Sequence, residues 1–170
     1  MNAIIYTTQT GSTKRYAEMI SEKTGLPIYS FKDSKKNVPV GADIVYLGWI
    51  NAGKITGYKK AAKRYNVLSV CGVGMSKTET MTENVRKRTR IAESVPLFTL
   101  QGNFNIDKLH GFYRLIMALM AKAIKNDLEN KKDLSPEEAD MVDTVLHGAE
   151  RVKAENLKGF LEWYHSEIAD

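Results

Sequence analysis

The sequence predicts one α/β domain built on a parallel sheet, and three observations carry that prediction. Short runs rich in Ile, Val, Leu and Tyr recur at residues 3–6, 26–31, 42–48, 66–73 and 95–102. Each is long enough for a strand and too short for a helix. Segments with helical spacing or charged helical character separate most of them, the alternation that builds βαβ units. Finally, 170 residues at 43% hydrophobic and 26% charged provide one core of ordinary globular composition.

The first strand, Ala3-Ile4-Ile5-Tyr6, runs into a turn, Thr7-Thr8-Gln9-Thr10-Gly11-Ser12-Thr13, and then into a helix marked by Tyr16, Ala17, Met19 and Ile20. Gly25 closes that helix. The run at 26–31 is expected near a sheet edge, where Pro27 is tolerated. Residues 32–41 are polar and read as a loop, followed by a third strand at 42–48. A short basic helix is expected over 56–65, a fourth strand at 66–73, a charged exposed helix over 78–92 and a fifth strand at 95–102. Asp107 is positioned to cap a helix whose apolar stripe includes Leu109, Phe112, Ile116 and Met120, with Lys108, Arg114, Lys122 and Lys125 on its flanks. Ser135-Pro136-Glu137-Glu138 opens another helix. A last helix over 154–169 buries Leu157, Phe160, Leu161, Tyr164 and Ile168.

The turn after the first strand holds the most chemistry. Strand, small polar turn and helix together make an anion site, because the first amides of a helix lack intrahelical partners and the macrodipole adds positive charge there. Ser and Thr are also ordinary helix caps, but one cap needs one hydroxyl and this turn carries five in seven residues. It is neither a nucleotide P-loop, since G-x-x-x-x-G-K-[ST] is absent, nor a dinucleotide G-x-G-x-x-G turn.

From Ile4 to Ile20 the chain resembles the flavodoxin signature at every defined position. The resemblance implies a three-layer flavodoxin-like fold with a five-stranded parallel sheet in the order 2-1-3-4-5. It also implies FMN as cofactor, with Thr8, Gln9, Thr10, Gly11, Ser12 and Thr13 around its phosphate. In sheets of this kind ligands bind beyond the carboxyl ends of the strands at the switch point, here between the first and third. That placement joins two further loops to the site. Trp49, Ile50, Asn51, Ala52 and Gly53 follow the third strand, and the resemblance sets this loop against the flavin ring, where Trp49 could stack. Cys71, Gly72, Val73 and Gly74 take the remaining ring-binding position, where the two glycines allow close backbone approach. Many flavodoxins carry a stacking Tyr and an acidic residue here; this loop has neither, which leaves one flavin face more open. Lone buried cysteines are ordinarily packing residues, and Cys71 is read as one.

A minimal fold of this class needs one helix after its fifth strand, so residues from about 103 to 150 are expected to be a helical insertion within a single domain spanning 1–170. The segments 101–104 and 110–117 are similar in aromatic and basic character to menaquinone-dependent protoporphyrinogen dehydrogenases. That resemblance implies an FMN-dependent oxidoreductase passing electrons from a bulky substrate to a quinone-like acceptor, and the basic amphipathic helix of the insertion can lie on an anionic membrane. The alternatives are an electron carrier with no substrate of its own and a cofactor-free signalling or interaction module. A response-regulator version of the latter needs acidic residues after the first strand, and Thr7-Thr8-Gln9-Thr10 supplies none. No side chain stands out as an obligatory acid or base, so the catalytic residues are not identified.

Composition bounds the rest. A single cysteine excludes an internal disulfide and suits a reducing cytosol. Three scattered histidines offer no metal-ligand spacing. No signal peptide or apolar run of membrane-spanning length is read, so the expected location is cytoplasmic, with the insertion reaching the inner face of a membrane. The net charge of +5 departs from acidic flavodoxins and fits anionic ligands or surfaces. Nucleic acid is not expected as a partner.

Overall fold

The computed structural model describes residues 1–103 and 150–168. Backbone proximity divides the chain into two compact units, Met1–Gly102 with Val152–Asp170, and Asn103–Arg151. The second covers the stretch read as an insertion. The helices expected after Asp107 and at Ser135 fall outside the described residues.

The first unit runs β1 (Ala3–Thr7), α1 (Ser12–Thr24), β2 (Ile28–Ser30), α2 (Phe31–Asn37), β3 (Asp43–Asn51), β4 (Lys54–Ile55), α3 (Tyr58–Ala62), β5 (Asn66–Gly74), α4 (Thr82–Thr89) and β6 (Leu97–Gln101). A 3₁₀ turn (Ala154–Leu157) then leads into α5 (Lys158–Glu167). The parallel sheet has the order β2-β1-β3-β5-β6, with β4 paired antiparallel to β3. With β4 set aside, this is the expected 2-1-3-4-5 order.

Two cores lie on the two faces of the sheet. Ile5, Tyr46 and Val70 point to the face covered by Tyr58 and Ala61 of α3 and Val85 of α4. Ile4, Val45, Leu47 and Cys71 point to the other face, beneath Tyr16, Ala17 and Ile20 of α1 and Phe160 of α5. Strand alternation explains the split. Val67 and Val70 share a face although they are three apart. The register shift between Ile44 and Val45 on β3 places Val67 and Ser69 opposite consecutive residues. Leu68 is thus the extra residue of a bulge that resets the alternation.

Several element boundaries differ from the sequence reading. Residues 31–37 form a helix rather than a loop. Ser30 caps it, its Oγ accepting from the Asp33 amide at 3.1 Å, and the Tyr65 hydroxyl donates to buried Ser34 at 3.0 Å. A polar side chain holds this helix down, so no apolar stripe announces it. The segment after Gly48 is a hairpin rather than an open loop. Its turn residues, Ala52 and Gly53, have φ of 47° and 76°, the positive pair that a type I′ turn requires. The helix expected over 56–65 narrows to Tyr58–Ala62. The one expected over 78–92 narrows to Thr82–Thr89, because Glu79 is left-handed at φ 67°.

Two glycines separate two kinds of constraint. Gly25 has φ 71° with open space at its missing Cβ, whereas a Cβ on Gly57, φ 85°, would stand 2.1 Å from the Tyr46 hydroxyl oxygen. Gly25→Ala is therefore expected to destabilise by about 1 kcal/mol from backbone strain alone. Gly57→Ala should cost more than about 2 kcal/mol, since strain and a clash with a buried hydroxyl act together. Denaturant midpoints of the two variants measure the difference, and equal losses would show that the Tyr46 contact is not limiting.

Candidate functional site

Register brings the sequence-predicted stretches to one end of the sheet. Thr7 pairs with Gly48, Trp49 with Val73, and Gly74 with Gln101. The chain following β1, the β3–β4 hairpin and the chain following β5 therefore leave adjacent strands side by side.

After β1, Thr8, Gln9 and Thr10 are half-buried, Gly11 is exposed, and Ser12 and Thr13 are buried in the first turn of α1. The residue preceding the helix is Gly11, left-handed at φ 100°, and no side chain caps the helix. The Thr8 hydroxyl oxygen accepts from the Gly11 amide at 3.1 Å and shapes the turn. The first turn of α1 thus begins among hydroxyls.

The hairpin is anchored rather than free. The Ile55 amide donates to the buried Thr89 Oγ1 at 3.0 Å, and Arg88 donates to the Ala52 carbonyl at 3.1 Å. Ile50 and Ile55 lie against the glycines of neighbouring strands. A Cβ on Gly48 would come within 2.5 Å of Ile55, one on Gly72 within 3.0 Å of it, and one on Gly74 within 3.1 Å of Ile50. The close approach that Gly72 and Gly74 permit is taken up by these side chains. Trp49, half-buried, follows Val45 and Leu47 in alternation and so belongs to the α1 face. Asn51 and Gly53 are half-buried and Ala52 is exposed at the tip.

On β5, Cys71, Gly72 and Val73 are interior strand residues, and Gly74 is the first that solvent reaches. Burial pushes the Cys71 thiol well above its ordinary value, which keeps it protonated and chemically quiet. The chain beyond is pinned to β6: Glu79 N–H donates to the Thr99 carbonyl at 2.8 Å, and the Gln101 amide to Thr78 Oγ1 at 3.2 Å. Between the hairpin, Gly74–Lys77 and α4 lies a notch of about 230 Å³. Met75 and Met81 line it, 54% and 36% exposed.

Residues outside the predicted set hold these stretches in place. The Tyr46 hydroxyl donates to the Thr56 carbonyl at 2.8 Å, so Thr7 Oγ1, also at 2.8 Å, is the donor to Tyr46. The Tyr16 hydroxyl donates to the Gln101 carbonyl at 2.5 Å and accepts from Asn156 at 2.6 Å, joining α1 to the end of β6. For Tyr46 the hint in the sequence is a tyrosine among aliphatic strand residues, whereas Tyr16 reads as one apolar position of a helix.

A scan against protein families matches residues 3–133 to the flavodoxin domain. The chain belongs to the flavodoxin family. No curated protein matches it. Family membership points to a flavin cofactor, FMN, and to electron transfer with redox partners. The hydroxyl-rich turn that opens α1 behind a left-handed glycine has the donor chemistry that an oxyanion such as the FMN phosphate requires. Among the described residues no helix is long and apolar enough to cross a membrane, and no three His, Cys, Asp or Glu cluster as metal ligands.

The tyrosine link at Tyr46 has a pH consequence. Burial raises its hydroxyl from 10.0 to about 12, the bond from Thr7 opposing the rise in part. The folded state then keeps a proton that the unfolded chain loses above pH 10, so stability is intact below that value and falls as pH climbs towards 12. The loss from this residue is about 2–3 kcal/mol. Tyr16, Tyr58 and Cys71 are raised as well, chiefly by burial, and add to the slope. Tyr46→Phe should be less stable at neutral pH yet show a shallower alkaline loss in denaturant titrations. An unchanged slope would remove Tyr46 as its source.

Proposed function

We propose that the protein is an FMN-dependent oxidoreductase. In this reading Thr8, Gln9, Thr10, Gly11, Ser12 and Thr13 hold the phosphate, while Trp49, the hairpin residues Ile50 to Gly53 and the stretch from Cys71 to Gly74 bound the flavin ring. The observation that carries it is the opening of α1 at a left-handed glycine within a turn of five hydroxyls. Once bound, FMN supplies the electron transfer itself. The chain's own part is to grip the phosphate through amides and hydroxyls, to fix the ring's edge with backbone groups near Gly74, and to keep water from the covered face. Cys71, Gly72 and Val73 act from beneath as the strand that carries Gly74. No aromatic side chain lies in Gly74–Lys77, so a planar substrate has access from that side.

FMN should therefore bind tightly and riboflavin much more weakly. Each charge-assisted hydrogen bond lost costs roughly 1.5–3 kcal/mol, so Thr10→Ala should weaken FMN by about tenfold or more and leave riboflavin nearly unchanged. Fluorescence titration with both flavins is the measurement. Equal affinities for the two would sink the phosphate assignment.

The finer part of the proposal is the substrate, a protoporphyrinogen-like tetrapyrrole, with a menaquinone-like acceptor and contact with an anionic membrane. Its support is the similarity of the 101–104 and 110–117 segments to protoporphyrinogen dehydrogenases. FMN-dependent turnover of protoporphyrinogen with menaquinone, and co-sedimentation with anionic vesicles at low salt, are the expected results. A second reading, an electron carrier, is favoured by the soft exposed rim of Met75 and Met81, which suits transient protein contact. Absence of turnover together with fast electron exchange with a flavodoxin reductase would select that reading.

A further inference from the structure

On the sheet face that carries α2, α3 and α4, away from α1, a cavity of about 510 Å³ opens between the hairpin and these three helices. Its size lies within the range of small-molecule sites. Lys32, Lys35, Lys54, Lys59, Lys60 and Arg88 line it, and no acidic residue does among the described residues. Arg88 is occupied with the Ala52 carbonyl, and the Lys35 ammonium lies 5.4 Å from the centre of the Phe31 ring. Lys32, Lys54, Lys59 and Lys60 have no ion-pair partner among the described residues.

The concentration of charge is a property of this flank and not of the chain. Residues 31–64 contain eight Lys and Arg against Asp33 and Asp43 alone, a surplus of six, whereas the whole chain's net charge is +5. Like charges gathered around a concavity repel more than the same charges spread over a convex surface, because the low-dielectric walls focus the field. An anion bound inside would relieve that repulsion. Phe31 and Ile55 give the cavity apolar lining, and Thr7 and Thr56 add polar lining. Lysines are mobile point charges and suit several separated anionic groups, where a single carboxylate is better met by the arginine fork. A lone phosphate would also leave the apolar lining unused.

We propose that this cavity binds a small organic polyanion, an aromatic or apolar frame bearing two or more carboxylates or phosphates. The site is distinct from the turn at residues 8–13, which leads into α1 on the opposite face, and the proposal does not depend on the FMN reading.

The test is calorimetric titration of the full chain, with FMN in excess, using inorganic phosphate, pyrophosphate, citrate, benzene-1,3,5-tricarboxylate and adenosine diphosphate. Saturable 1:1 binding is expected for at least one of the two ligands with an aromatic frame, tighter than for citrate or pyrophosphate, with amide NMR shifts at Thr7, Thr56 and Gly57. Whether the tricarboxylate or the diphosphate binds tighter identifies the preferred anionic group. The combined change Lys32→Gln, Lys59→Gln and Lys60→Gln should weaken binding by about tenfold or more. The change Lys23→Gln, Lys153→Gln and Lys158→Gln, which removes the same charge elsewhere, should alter it by less than about twofold. Equal losses in the two variants, shifts confined to residues 8–13, or no saturable binding by any of the five probes would overturn the proposal.

Discussion

The buried hydroxyl of Tyr46 fixes the geometry on which this end of the molecule depends. A phenol in the middle of a sheet must satisfy its oxygen without water, or lose about 1–3 kcal/mol. It does so by donating to the carbonyl of Thr56 and accepting from Thr7. The first bond draws the return of the hairpin back over β3, and the second ties down the last residue of β1. Gly57 follows because no larger residue fits beside that oxygen. The turn at residues 8–13 begins one residue beyond Thr7, so its starting point is set by a partner thirty-nine positions away.

The two faces of the sheet divide the remaining work. On one, the glycines at 48, 72 and 74 make a shallow bed that the isoleucines of the hairpin fill, so that the bed and its cover are rigid together. On the other, Tyr16 spans from α1 to the end of β6 and to Asn156. The loops at the open end thus rest on packed supports from both sides. Such support is what a binding constellation requires if its donors are to stay aimed without reorganising.

The strands and the first helix were legible because burial on two faces demands dense branched residues, and α1 shows its apolar stripe openly. The convergence of three loops followed from topology alone. What stayed hidden has particular causes. Helix α2 is held by a cap and one buried serine, leaving no apolar period to read. The hairpin turn places Ala52 at a positive φ, where Asn or Asp would have signalled it. Gly72 and Gly74 were visible as small residues, but nothing local says that isoleucines from another strand occupy their space. The basic cavity draws its lysines from α2, β4 and α3, segments that only the fold brings together.

The fully buried Cys71 has a practical consequence. A thiol inside β5, beneath α1 and α5, with no exposed surface and a strongly suppressed thiolate, can meet an alkylating reagent only when those helices lift from the sheet or the domain unfolds. Its modification rate is therefore a clock for the opening of that core, separate from the fraying of surface loops. Being the sole cysteine of the chain, it reports that event without a competing signal.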